Sequence, residues 1–226
     1  MHLDFKNVLD LSYVVDEDSP RELPIDPAKI YDQATLEEDG YFESRVDMSG
    51  HYSTHMDAPC LMYPGGATIA EIPKEKLTGH AVLMDFSAIK KPNDAVTAED
   101  VKAWVTENGE IPADSIVFMR TGMDRFVYQD NFNREWIGFS EDAAELLVEK
   151  GIKVIGTDAC SIDSVAGHPP LHDGLPPAHL VFLGAGIPHV EDLCNLSQLP
   201  THFYVVIAPL KLAQSSGAPT RVFAFV

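Results

Sequence analysis

The chain has 226 residues, 45% hydrophobic and 23% charged, which is enough for one domain, 1–226, with a sizeable core. Its 16 basic residues against 35 acidic ones give a formal net charge of −19, which repels nucleic acid and anionic membranes and leaves small molecules or further protein subunits as the expected partners. No apolar run nears the ~20 residues that cross a bilayer, the opening Met1-His2-Leu3-Asp4-Phe5-Lys6 lacks the order of an export signal, and Cys60, Cys160 and Cys194 make no Cys-x-x-Cys pair; a cytoplasmic protein with reduced thiols is expected.

Asn7 to Val15 reads as a first strand, and 16–28, with Pro20, Pro24 and Pro27, as a surface loop. Tyr41 to Met48 alternates loosely and leads into Gly50-His51-Tyr52-Ser53-Thr54-His55-Met56-Asp57-Ala58-Pro59. On an extended strand, His51, Ser53, His55 and Asp57 share one face while Tyr52, Thr54 and Met56 share the other. On a helix Asp57 would lie far around from both histidines, and Pro59 biases Ala58 toward the extended region, so the strand is favoured. Two imidazoles and a carboxylate form a mixed nitrogen and oxygen set suited to zinc, manganese or iron, with positions left over for water or substrate. The plainer alternative is a half-buried strand with incidental histidines.

Farther on, Pro64-Gly65-Gly66 marks a tight turn, and Ala81 to Phe86 is a near-continuous apolar run of strand length, as in a strand covered on both faces. Thr97 caps a helix with Val101, Trp104 and Val105 at helical spacing and Gly109 as its stop; Trp104 is read as core. Ser115 to Met119 is a second buried strand, and Arg120-Thr121-Gly122 follows where α/β proteins place functional loops. The segment 123–138 reads as an ordered loop whose Phe126, Tyr128, Phe132 and Trp136 either wall a pocket or meet another subunit. Ser140 caps a second helix through Glu149, Gly151 ends it, and Lys153 to Asp158 is again a strand, the rhythm of α/β crossovers. His168 and His172 fall in a loop of Gly and Pro composition, where histidines are usually solvated. Phe203 to Pro209 and Arg221 to Val226 read as two strands joined by a turn over 214–219.

The pattern His51-x-x-Thr54-His55-x-Asp57-Ala58-Pro59, followed by Gly65-Gly66 and Ile69-x-x-Ile72-Pro73, resembles the signature of the cyclase family of metal-dependent hydrolases, which includes bacterial kynurenine formamidase, isatin hydrolase and a trans-dienelactone hydrolase. The resemblance extends to Arg120-Thr121-Gly122 and to Asp158 and Asp163 in Gly156-x-Asp158 and Ser161-x-Asp163, whose role is either structural capping or support of a site. It implies an α/β single domain with the family's swivelling β/β/α fold, assembled as a homodimer or homotetramer. It also implies that the proline-rich loop after Asp10-Leu11-Ser12 approaches the active site, against the alternative of a plain connector. His179 and Glu191, twelve residues apart, would complete a second metal site, giving one or two divalent ions per subunit, zinc or manganese, with Asp57 as the natural bridge because a carboxylate has two oxygens. The implied activity is hydrolysis of a small cyclic or aryl amide, or of a lactone, by metal-activated water.

One position departs from that pattern. Family members commonly carry a general acid/base histidine four residues after the metal-binding aspartate, where this chain has Leu61. Glu191, His172 and Tyr63 are the candidates to take over proton transfer, with Glu191 as the catalytic choice and Tyr63 and Arg120 as substrate-binding candidates. The competing expectation is a non-catalytic metal- or ligand-binding protein that lost its chemistry with that histidine.

Overall fold

The computed structural model describes residues 5–22, 24–129, 132–165 and 174–226. In chain order its elements are β1 (Val8–Asp10), β2 (Lys29–Ala34), β3 (Glu43–Asp47), β4 (His55–Asp57), β5 (Thr78–Asp85), β6 (Ala95–Val96), α1 (Ala98–Asn108), β7 (Ile116–Arg120), β8 (Gly138–Phe139), α2 (Glu141–Glu149), β9 (Val154–Thr157), α3 (Pro177–Gly184), β10 (His189–Glu191), β11 (His202–Pro209) and β12 (Gly217–Phe225).

The main sheet runs β1-β12-β11-β5-β7-β9-β10-β4, and β4 pairs again with β12. Seven strands therefore close into a ring, with β1 attached outside it on β12. Strands β5, β7, β9 and β10 are mutually parallel, while β11 and β4 run against them. Side chains alternate across each strand, and the two resulting faces make two cores. Met56, Leu83, Phe118, Val190, Val205 and Val222, one set of alternate residues, form a cluster inside the ring. The opposite set on β5, β7 and β9, including Met84, Val117, Met119 and Ile155, packs under α1, α2 and α3 through Val101, Trp104, Leu147 and Phe182. That double burial explains why those strands are near-continuous apolar runs. Truncating a buried Phe118 to alanine would cost about 3–5 kcal/mol.

Helix boundaries follow local chemistry. Thr97 and Asp100 form a reciprocal capping box at α1, and Gly109, at φ +98°, ends it. Ser140 precedes α2 as expected, although its hydroxyl donates to the Val96 carbonyl instead of capping the helix. Gly151, at φ +75°, closes that unit.

Several sequence expectations are corrected. Strand geometry covers only His55–Asp57 of the 50–59 stretch, because Ser53 at φ +57° breaks the extended run and His51 arrives from a bend. Strand β12 begins at Gly217, inside the segment read as a turn, and Pro219 tolerates the ladder opposite His55. Phe132 and Trp136 are buried against Ala159 and Cys160 and so serve as core, while Tyr128 is exposed. The hairpin β2–β3 was only half legible: it stands apart as its own two-stranded sheet. Among the described residues no helix is long and apolar enough to cross a membrane.

Candidate metal centre

Strands β4 and β10 are three residues each, and alternation on both sends the middle residue, Met56 or Val190, into the ring. The flanking residues therefore emerge together on the other side. The antiparallel register sets His189 opposite Asp57 and Glu191 opposite His55, so two imidazoles and two carboxylates share one patch. A third element, α3, brings His179 over it. Asp163 fixes that placement: its carboxylate accepts from the backbone N–H of Ala178 at 2.6 Å and of His179 at 3.0 Å, filling the first turn of α3, and from His179 Nδ1 at 2.5 Å. His51 lies against Gly217, where a Cβ would come within 2.6 Å of its ring. Only glycine leaves room for that imidazole.

The donors meet around Asp57. Its Oδ1 lies 2.7 Å from His51 Nδ1 and 3.3 Å from His55 Nε2. Its Oδ2 lies 3.0 Å from His189 Nε2 and 3.6 Å from His179 Nε2. Glu191 faces His55 Nε2 through Oε2 at 3.5 Å and, through Oε1, His179 Nε2 at 3.7 Å and His189 Nε2 at 3.8 Å. Oε1 also accepts the Ile162 N–H at 2.7 Å, which holds the carboxylate in place. Two groups of potential ligands result, His51, His55 and Asp57, and Asp57, His179, His189 and Glu191, with the ligand atoms of each group within 4.8 Å of one another.

These residues fit divalent ions. His55 Nδ1 donates to the Ser53 carbonyl at 2.8 Å and His179 Nδ1 to Asp163, so each Nε2 presents a lone pair toward carboxylate oxygens. Lone pairs facing anions repel unless a proton or a cation lies between them. In the metal-free chain, protons fill that role. Burial opposes a charge on His55, but the Asp57 anion outweighs it and lifts the imidazole to about 10. His179 is likewise raised against the effect of burial, through Asp163 and Asp57. Burial would push Asp57 up, yet His55, His51 and His189 hold it well below the usual carboxylate range. Glu191 is pushed up to about 8 by burial and then by the Asp57 charge. His189 is lowered to about 4 by burial and by the neighbouring His179.

A cavity of about 370 Å³ opens onto the centre, walled by His51, His55, Asp57, His179 and Glu191 on one side and by Glu22, Ile25, Leu61, Met62 and Pro176 on others. The structure thus brings together all five sequence-predicted ligands. Glu22 and Ile25 show that the proline-rich loop borders the cavity. Leu61 faces it from the 3-10 turn Pro59–Leu61. Tyr63 and Arg120 do not wall it: the Tyr63 hydroxyl donates to the Leu180 carbonyl at 2.8 Å, and Arg120 pairs with Asp85 at 2.5 Å. Asp158 caps the loop after β7, accepting from the Thr121 N–H and hydroxyl and from the Gly122 N–H at 2.6–2.7 Å. His168 and His172 lie outside the described residues. The ligand candidate absent from the sequence reading is His189; its signal was the i, i+2 spacing to Glu191, the same alternation that joins His55 to Asp57.

An α/β chain whose closed sheet carries two adjoining histidine–carboxylate clusters defines a class of candidate metalloproteins. The pattern described as "Putative cyclase" matches residues 9–164, and the chain belongs to that family. Isatin hydrolase of Roseibium aggregatum is 30% identical over 97% of this chain and 91% of its own. Kynurenine formamidase of Salinibacter ruber is 27% identical over 77% of this chain and 75% of its own. A solved isatin hydrolase bound to the product analogue thioisatinate matches with a TM-score of 0.89 at 26% identity, over 97% of this chain and 92% of that one.

Proposed function

We propose that this protein is a metal-dependent hydrolase that adds water to the carbonyl carbon of a small cyclic or aryl amide and breaks its C–N bond. The observation that carries this reading is the two-sided use of Asp57, whose Oδ1 faces His51 and His55 while Oδ2 faces His179 and His189. Similarity to isatin hydrolase and kynurenine formamidase supports the amide class. A lactone belongs to the same chemistry, since its acyl carbon is attacked in the same way. A divalent ion, zinc or manganese, held by these residues would supply an activated water and an electrophile for the carbonyl oxygen.

The chain's own residues do the rest. His51, His55, Asp57, His179 and Glu191 would hold the ions, and they border the cavity in which the amide would sit. Of the three groups considered for proton transfer, Glu191 is the one that walls the cavity among the described residues, so it takes the water proton and returns it to the leaving nitrogen. Leu61, Met62 and Ile25 give the substrate's ring an apolar wall.

The test assays formanilides, isatins and aryl lactones with metal-stripped protein, with and without added Zn²⁺ or Mn²⁺. Turnover that appears with metal and falls by at least about 10³-fold in Asp57→Ala is the expected result, since that variant removes a ligand from both clusters. Tight metal binding with silence across the panel would instead establish the non-catalytic reading.

A further inference from the structure

His189 sits at the bottom of the centre, fully buried on β10 and absent from the cavity wall. Its Nε2 lies 3.0 Å from Asp57 Oδ2 and 3.8 Å from Glu191 Oε1; His179 Nε2 lies 3.6 Å and 3.7 Å from the same two oxygens. The two rings meet edge-on, with centroids 4.3 Å apart and planes at 80°. Two imidazoles thus address one pair of carboxylate oxygens from two directions, in nearly equivalent positions. A tetrahedron with metal–ligand bonds of ~2.0–2.1 Å has edges of about 3.3 Å. The four separations here straddle that value.

We propose that His189 is a metal ligand that closes the inner site, so that Asp57, His179, His189 and Glu191 hold one ion with four protein donors. His51, His55 and Asp57 hold the other with positions left open. This rests on the reading that the centre binds divalent ions, and it adds a division of labour. A site with four protein donors has no vacancy for substrate, whereas three donors leave one. The cavity reaches both sets, bordered by His51 and His55 of the outer one and by His179 and Glu191 of the inner one, while His189 lies behind them. Substrate contact therefore belongs to the outer site, and the inner site anchors β4, β10 and α3 to one another. The rival role for His189 is a hydrogen bond that merely orients Asp57. Its Nδ1 has no hydrogen-bond partner among the described residues, so the ring's polar contacts are made through Nε2, the atom that would meet the ion.

The experiment uses the full chain. Wild type, His189→Gln, His189→Ala and His51→Gln are stripped, checked for folding by circular dichroism, and titrated with Zn²⁺ and Co²⁺. Wild type should bind two ions, and its Co²⁺ form should show intense visible absorption of the four-coordinate type from the inner ion that added azide leaves unchanged, since only the outer ion has a position for it. The His189 variants should lose that absorption and bind one ion at least about 10-fold to 100-fold more weakly. His51→Gln should keep the absorption and weaken the other ion. An anomalous difference map of zinc-loaded wild type gives a check that needs no variant: the inner ion should lie ~2.0–2.1 Å from a His189 ring nitrogen. Two ions bound with unchanged affinity and spectrum in folded His189→Gln, or an inner ion more than about 3 Å from that ring, would overturn the proposal while leaving the hydrolase reading standing. A wild type that binds no ion would overturn both.

Discussion

Leu61 borders the same cavity as His55 and Asp57, at the position where the resembled family usually has a histidine. An imidazole there could protonate a departing nitrogen, a step that amides need more than esters. Leu61→His is therefore expected to raise turnover of an aryl formamide by about 10-fold or more over that of the matched aryl ester, a part of the 10²–10⁴-fold that a fully positioned general acid/base contributes. Parallel assays at verified metal content check this, and an unchanged ratio would refute it. The first three ligands were legible because they lie within seven residues of one another and His55 and Asp57 obey strand alternation. His189 obeys the same rule with Glu191, but its meaning depends on β10 lying beside β4, a pairing that no local pattern reveals. Tyr63 lies outside that cavity for a related reason: the turn at Pro59–Leu61 carries it toward α3, where the Leu180 carbonyl accepts from its hydroxyl. Arg120 is turned to Asp85, which the register of β5 with β7 brings opposite it.

At the level of elements, α3 depends on one remote carboxylate. Pro176, the residue before it, offers no capping side chain, and Asp163 supplies the acceptors for two of its first N–H groups while orienting His179. Asp163→Ala should cost about 2 kcal/mol in stability and also weaken binding of the ion held by His179. Asp163→Asn, which keeps one acceptor, should recover part of both. Denaturant melts and metal titrations of the two variants test this, and a folded Asp163→Ala with wild-type metal affinity would refute it. The hairpin β2–β3 makes a second case. A two-stranded sheet is marginal alone, yet this one exposes Ile30, Tyr31, Tyr41, Phe42 and Val46. A second copy of the chain is the occupant expected there, giving a homodimer or homotetramer. Light scattering should return a multiple of 24.8 kDa for wild type and a shift toward the single-chain mass for Tyr41→Lys/Phe42→Lys, whereas a wild-type mass of 24.8 kDa would refute it. Helices and doubly covered strands were legible because caps, glycines and apolar runs are local signals. The hairpin was obscure because almost all its residues are exposed and no core face imposes a period.

For the molecule as a whole, the buried centre should couple stability to pH, and bound metal should oppose that trend. In the metal-free chain His55 has a folded pKa of about 10 against an ordinary 6.5, so its stabilising contribution is complete below pH 6.5 and is lost as pH rises toward 10. Glu191 and Asp192, both pushed up to about 8 first by burial, bind protons in the folded chain that the unfolded chain has already released, so they too lower stability as pH rises to 8. Asp192 adds to this because its two carboxylate oxygens are buried with no hydrogen-bond partner among the described residues. His189, lowered to about 4, acts in the opposite sense, but only between pH 4 and 6.5. Above pH 6.5 the named groups thus pull in one direction. The metal-free melting temperature should fall between pH 6.5 and pH 9. Divalent ions need the same side chains deprotonated, so binding releases protons and strengthens as pH rises. The gain in melting temperature on adding Zn²⁺ should accordingly be larger at pH 8.5 than at pH 6. Calorimetric scans of chelator-treated and zinc-loaded protein across that range decide the matter: a metal-free melting temperature that stays level or rises from pH 6.5 to 9 would show that His55, Glu191 and Asp192 are not crowded together as the structure places them.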